Sequence, residues 1–220
     1  MAAMAMRVVS VNVGLPRTVE WRGKPVSTGI FKEPVAGRVA VRYLNLDGDR
    51  QADLSVHGGP DKAIYAYPAE HYPFWRDCYP DHDLRWAAFG ENLTIAGLRE
   101  DAVRIGDRFR VGTAELMAVQ PRFPCSKLGI RFGDPHIVKR FRESDRPGIY
   151  FRVMQEGDMG AGDTITRIEQ APYALSVVDL ARLVIADAPD PDAMHGALAV
   201  AALPENLRDH FTRQLAEQPA

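Results

Sequence analysis

The chain has 220 residues, of which 46% are hydrophobic and 25% charged, with 27 lysines and arginines against 29 aspartates and glutamates. That length suits one large domain, or one domain with a small appendage, and is enough to build a core without disulfide staples. The composition excludes a disordered chain, and a net charge of −2 excludes the strongly basic surface that binds a nucleic-acid duplex or an anionic membrane in bulk.

Taken in chain order, Val9, Val11 and Val13 alternate, as do Val39, Val41 and Tyr43, and both stretches read as strands. Pro68 to Cys78 reads as a helix, with Glu70, His71 and Trp75 at helical spacing and Pro73 as its weak point. Phe109 and Val111 lead through Gly112-Thr113 into a strand with Leu116 and Ala118 on one face and Met117 and Val119 on the other. Ile149, Phe151 and Val153 alternate, and Gly157 to Gly162 turn the chain into a last strand, Ile165 to Ile168. Many short strands punctuated by glycine and proline predict a mainly β domain, a barrel or a sandwich, over residues 1–170.

Near residue 171 glycine nearly vanishes and the apolar spacing becomes helical. Ser176 can cap a helix whose apolar face is Val177, Leu180, Leu183 and Val184. Asp190-Pro191-Asp192 opens a second, with Met194, Leu198 and Ala202 in line, and Pro204 opens a third, with Leu207, Phe211 and Leu215. Residues 171–220 therefore read as a small three-helix domain. It is open to three uses: docking a partner, covering a site or building a homodimer.

No apolar run reaches the ~18 residues that span a bilayer; the best, Ala174 to Ala188, is broken by Asp179, Arg182 and Asp187. No charged segment precedes an apolar stretch at the start, so no signal peptide is expected. The default expectation is a cytoplasmic protein with Cys78 and Cys125 reduced.

Three segments carry chemistry-bearing residues. The first is Pro121-Arg122-Phe123-Pro124-Cys125-Ser126-Lys127-Leu128, which places Cys125 just past a strand end in a proline-braced loop. Arg122 and Lys127 favour the thiolate, a nucleophile and soft metal ligand; the bland alternative is a buried, inert cysteine. Nothing around Cys78 demands a thiol. The second segment is His57-Gly58-Gly59-Pro60-Asp61-Lys62, either an anion cradle with a lysine or a glycine turn with a surface lysine. The third, Phe89-Gly90-Glu91-Asn92-Leu93, presents an amide and a carboxylate to a pocket or is an asparagine-stabilised turn. There is no G-x-G-x-x-G after a strand, no P-loop and no H-E-x-x-H, and the six histidines are scattered.

Taken together, HGGPDKAIYAYPAEHYPFW, FGENLTIAGL and IGDRFRVGTAELMAVQPRFPCSKLG, with Pro25-Val26-Ser27-Thr28-Gly29-Ile30 upstream, resemble the MOSC-domain proteins, the C-terminal domain family of molybdenum cofactor sulfurases. The likeness is to the YiiM-like subgroup, whose appended three-helix domain the last helices resemble. It implies a closed β-barrel of the pyruvate-kinase-barrel type and a molybdenum cofactor, with Cys125 as catalytic residue and metal ligand. His57, Gly58, Gly59, Asp61, Lys62, Glu91, Asn92, Arg122 and Lys127 are the implied cofactor-binding set. Related enzymes reduce N-hydroxylated compounds such as hydroxylamines, amidoximes and N-hydroxylated bases. With no flavin, haem or iron–sulfur signature in this chain, that activity implies a separate electron-donor protein. The alternative from another class is a non-catalytic carrier of sulfur or cofactor, using a Cys125 persulfide or thiolate.

Overall fold

A computed structural model of the protein describes residues 5–53 and 58–217. Among them are twelve strands: β1 (Arg7–Val13), β2 (Arg17–Trp21), β3 (Lys24–Thr28), β4 (Glu33–Pro34), β5 (Arg38–Val41), β6 (Ile64–Pro68), β7 (Leu93–Ala96), β8 (Arg108–Val111), β9 (Ala114–Pro121), β10 (Ile149–Gln155), β11 (Gly157–Gly160) and β12 (Ile165–Glu169). The six α-helices described are α1 (Tyr72–Cys78), α2 (Ser126–Phe132), α3 (Ile137–Glu143), α4 (Val177–Ile185), α5 (Pro191–Leu198) and α6 (Glu205–Ala216). None is long and apolar enough to cross a membrane.

Eight strands form one mixed sheet in the order β12-β8-β9-β10-β6-β7-β1-β4. Its neighbours are antiparallel except β6 and β7. The expected closed barrel is not formed: the sheet keeps two ends, at β12 and β4. The reason lies in β1, which pairs with β7 on one edge and gives the other to the two-residue β4. Toward β12 it makes only the isolated bridge Arg7↔Thr164, flanked by Val8 N–H donating to the Asp163 carbonyl and Ile165 N–H to that of Met6, each at 2.9 Å. A single bridge is not a ladder, and closure needs a matched stagger across every pair.

The alternation in β1 also shifts. A bulge between Val8 and Ser10 turns Val8 and Val11 into the core and leaves Val9 and Val13 half-buried. Phe109 and Val111, Leu116 and Ala118, and Ile149, Phe151 and Val153 are all buried as expected, whereas β5 buries Val39 and Val41 but ends before Tyr43, which is exposed.

Two apolar clusters result. The larger joins the sheet to the C-terminal helices, with Phe109, Phe151, Leu180, Met194, Leu207 and Phe211 in one body. Ser176 Oγ accepts from Asp179 N–H at 3.1 Å at the start of α4, and Asp190 Oδ1 from Asp192 N–H at 3.1 Å at the start of α5. Ile105 N–H donates to the Leu175 carbonyl and Val177 N–H to that of Val103, both at 2.9 Å, stitching α4 to the β domain.

The smaller cluster is aromatic and underlies the site. Tyr67, Tyr72, Trp75, Phe89, Phe132 and Phe141 pack together, with Trp75 Nε1 donating to Tyr67 Oη at 2.6 Å. Pro73 falls in the first turn of α1, where no intrahelical donor is lost, so it does not break the helix. The helices α2 and α3 escape the sequence reading. Gly129 inside α2 and the surrounding prolines read as loop, yet Leu128, Phe132, Ile137 and Phe141 bury in this cluster and overcome a glycine penalty of ~1 kcal/mol.

Gly148 leads into β10 at φ +69°, with its N–H donating to Glu100 Oε1 at 2.8 Å. A Cβ there would lie 2.6 Å from the Tyr65 ring and 2.7 Å from the Ala66 carbonyl. Gly148→Ala is expected to cost more than about 2 kcal/mol, combining positive-φ strain with a backbone clash, as read by denaturant unfolding. An unchanged midpoint would contradict the placement.

Candidate functional site

Loops from both halves of the β domain converge on one cleft. The end of β3 and the segment after it supply Thr28, Gly29, Ile30 and Lys32; the turn after β5 supplies Arg50; β6 supplies Tyr65. Gly90 and Asn92 come from the loop before β7, Tyr150 from β10, and Arg122, Phe123, Cys125 and Lys127 from the β9–α2 connection. Lys62 arrives on a 3₁₀ turn, Pro60–Lys62. The cleft is open to solvent, with about 700 Å³ of empty space counted to its open mouth.

Cys125 has extended backbone, φ −128° and ψ 178°, and its carbonyl accepts from Leu128 N–H at 3.0 Å. The loop expectation holds for Arg122 to Pro124, but Pro121 closes β9 and Cys125 itself is the N-cap of α2. It is half-buried and in no disulfide, as is Cys78, which packs against the aromatic cluster.

Arg122 stands three residues earlier and is buried. Its Nη1 donates to the Phe89 carbonyl, and its guanidinium lies over the Tyr65 ring at 4.9 Å and the Phe141 ring at 5.6 Å. No carboxylate among the described residues pairs with it. Burial works against its charge, yet Tyr65, Tyr150 and Cys125 around it more than offset that, and its pKa moves up. Lys62 moves down, because burial outweighs the attraction of Asp61 and Cys125. Burial likewise raises the Tyr65 and Tyr150 phenols, and the Tyr65 hydroxyl donates to the Pro147 carbonyl at 3.0 Å.

Beneath the cleft lies a buried polar frame. Asp49 pairs with Lys32 Nζ, accepts from Asn92 Nδ2 at 2.8 Å and from Gly14 N–H at 3.0 Å. Asn92 Oδ1 accepts from Tyr65 N–H at 3.1 Å. Burial lowers the Lys32 pKa, with Asp49 opposing. Two glycines let the walls approach: a Cβ on Gly29 would sit 2.5 Å from the Arg50 carbonyl, and one on Gly90 (φ +73°) 2.7 Å from Ile30 Cγ1.

The structure thus gathers Cys125, Lys62, Asn92, Arg122 and Lys127 from the sequence-predicted set. Gly58, Gly59, Asp61 and Glu91 are not among the described walls, and His57 lies outside the described residues. Gly59 serves by conformation, at φ +92° with open space at its Cβ position. Asp61 accepts from Arg152 Nε at 2.7 Å, and its carbonyl from Gln120 Nε2 at 2.9 Å, so it pins the Lys62 turn to β9 and β10. Glu91 is fully buried and accepts from Tyr72 Oη, from Ala87 N–H at 2.9 Å, from Phe89 N–H at 3.1 Å and from Thr94 Oγ1 at 2.9 Å. It shapes the loop that carries the Arg122 acceptor. Burial raises its pKa against those donors.

Sequence reasoning missed Lys32, Asp49, Arg50, Tyr65 and Tyr150. Two of them left a signal: Tyr65 lies within the quoted segment that begins at His57, and Lys32 stands two residues past the quoted Thr28-Gly29-Ile30. Chemically, the cleft combines one soft sulfur donor with several cations and backbone held by glycine. That donor set suits an anionic ligand with a soft centre. Among the described residues no group of three histidine, cysteine or acidic side chains can hold a metal alone, so a metal at Cys125 must bring its own further ligands.

The sequence and the fold both have counterparts among known proteins. The MOSC domain model matches residues 53–166, and the chain belongs to the MOSC-domain family. The model of the YiiM-like 3-alpha helix domain matches residues 175–218, over α4 to α6. The chain is 43% identical to the uncharacterized protein YflK of Bacillus subtilis over 207 residues, 94% of this chain and 93% of YflK. The crystal structure of YiiM from Geobacillus stearothermophilus superposes with a TM-score of 0.81 at 36% identity, covering 96% of this chain and 99% of that one. A protein of Gibberella moniliformis named "Reductase" is 35% identical over 165 residues, 74% of this chain but 29% of the fungal protein.

Two substitutions test the frame. Asp49→Ala leaves Lys32 buried without its partner and is expected to cost about 3–5 kcal/mol in urea unfolding. Glu91 has a folded pKa above its unfolded 4.5, so the folded state holds the extra proton. Its contribution is full below that unfolded value and is lost as pH rises through the folded one. Glu91→Gln should therefore flatten the fall in stability across that window; equal slopes in both proteins would contradict the burial of the carboxylate.

Proposed function

We propose that the cleft holds a molybdenum cofactor through Cys125 and that the protein reduces N-hydroxylated compounds such as hydroxylamines, amidoximes or N-hydroxylated bases. The observation that carries this reading is a half-buried thiol in the same cleft as a buried guanidinium that no described carboxylate neutralises. Membership of the MOSC-domain family and the fungal relative named a reductase support it.

The residues fit such a group. Cys125 Sγ is a soft donor for molybdenum, and a cofactor that brings its own dithiolene sulfurs needs no protein cage. Arg122, Lys62 and Lys127 offer the positive charge that a phosphate-bearing pterin requires, and Asn92, held by Asp49 and Tyr65, braces the wall behind them. When bound, the cofactor supplies a two-electron centre able to take an oxygen atom from an N–O bond. The chain's own part is to position and to exclude water. Arg122 is fixed by the Phe89 carbonyl and two aromatic faces, so its charge is in place before anything binds. Tyr65, Tyr150, Phe123 and Ile30 wall the cleft with apolar surface, which strengthens the field of the cations. The overall reaction, R–NH–OH + 2e⁻ + 2H⁺ → R–NH₂ + H₂O, draws its electrons from a separate donor.

The test is the molybdenum and pterin content of wild type and Cys125→Ala, both from a cofactor-competent host, alongside benzamidoxime reduction driven by reduced methyl viologen. Near-stoichiometric molybdenum and turnover in the wild type, with both lost in the variant, is the expected result. Turnover retained by Cys125→Ala would overturn the assignment of Cys125. Cofactor binding without turnover, with transfer to an acceptor apoenzyme, would favour a carrier.

A further inference from the structure

The cations of the cleft continue beyond its mouth. Helix α2 places Lys127 and Arg131 four residues apart, on one face, and Lys127 lines the cleft. The Arg131 guanidinium lies over the Phe31 ring, 5.2 Å from its centroid, and Arg17 on β2 lies over the same ring at 3.7 Å. Phe31 stands between Ile30 and Lys32, both cleft residues. Two residues before Arg17, Leu15 is 62% exposed. A strip of three cations and two apolar side chains thus runs from the cleft to the β2–β3 hairpin.

Among the described residues, some surface cations are neutralised by a neighbouring carboxylate and others, Arg22, Lys24, Arg140 and Arg142 among them, are not. Arg38, Arg42, Arg108, Arg110 and Arg182 each meet a carboxylate. Among the described residues, none lies within ion-pair distance of Arg17, Lys127 or Arg131. In a chain of net charge −2 this is a local positive face, and stacked arginines beside an exposed leucine are the composition of a protein-docking surface. It is too short for the basic groove that tracks a nucleic-acid backbone.

We propose that the Arg17–Phe31–Arg131 strip docks an acidic electron-transfer protein, which delivers the electrons of the reduction. This rests on the reductase reading above. For each N–O bond broken, the partner is oxidised by two electrons, two protons are taken up and the oxygen leaves as water. Such an encounter needs only a small interface, and charge complementarity raises its association rate while salt lowers it.

The experiment uses the full, cofactor-loaded protein with two acidic probes, flavodoxin and a plant-type ferredoxin, and the variants Arg17→Glu and Arg131→Glu. Arg17 is exposed and stands on a hairpin outside the main sheet, so Arg17→Glu keeps the fold if Arg131→Glu does not. Affinity is read by titration at low and high ionic strength, and benzamidoxime turnover is driven either by the reduced probe protein or by reduced methyl viologen. The proposal expects salt-sensitive binding of at least one probe, weakened about ten-fold by charge reversal. Protein-driven turnover falls in parallel, and viologen-driven turnover stays at the wild-type rate. It is overturned if neither probe binds the wild type, if charge reversal leaves binding unchanged, or if a DNA duplex binds the strip in preference to both. Absence of viologen-driven turnover in the wild type would remove the reductase reading, while the binding titrations still judge the surface.

Discussion

A guanidinium taken out of water loses hydration worth several kcal/mol, and the fold must replace it. Arg122 is that guanidinium, and the cleft is organised around it. One replacement is the Phe89 carbonyl. Phe89 can offer it because its own N–H is held by Glu91, which Tyr72 and Thr94 anchor in turn. The other replacement is aromatic: Tyr65 and Phe141 present ring faces to the cation. The aromatic cluster between β6 and the helices α1 to α3 is therefore both core and support for the charge.

The same logic fixes the neighbouring groups. Lys32 is buried but neutralised by Asp49, and Asp49 also holds Asn92 and the Gly14 backbone. Asp61 is drawn to Arg152, which sets the turn that carries Lys62. Two carboxylates from the surrounding loops are thus occupied in positioning, and Arg122, Lys62 and Lys127 line the cleft together with Cys125. The thiolate is the form of a cysteine that binds a soft metal.

The residues legible in the sequence were those whose loops announce themselves. Cys125, Arg122 and Lys127 stand between and beside two prolines after a β pattern, and Lys62 and Asn92 follow glycines. The roles within those motifs were not legible. Glu91 and Asn92 are adjacent, yet one lies under the loop and the other lines the cleft, at a bend just before β7. Asp49, Tyr65 and Tyr150 reach the site only through tertiary pairing, Tyr65 and Tyr150 through the β6–β10 register that sets them opposite each other. The strands β6 and β7 are buried throughout and carry no alternation to read, but β1, β5, β8, β9, β10 and β12 were readable from alternation and the last three helices from the residues that open them. Closure of the sheet was not, because alternation says which face is buried and nothing about stagger, and the expected barrel proved to be an open sheet. The helices α2 and α3 were hidden by glycine and proline, whose local preference the buried aromatics overrule.

The most direct test of this account is molybdenum-edge X-ray absorption on the loaded wild type and Cys125→Ser. Cys125 as the protein's soft donor predicts one sulfur neighbour fewer at the metal in the variant. An identical sulfur count in the two proteins, with molybdenum bound in both, would contradict it.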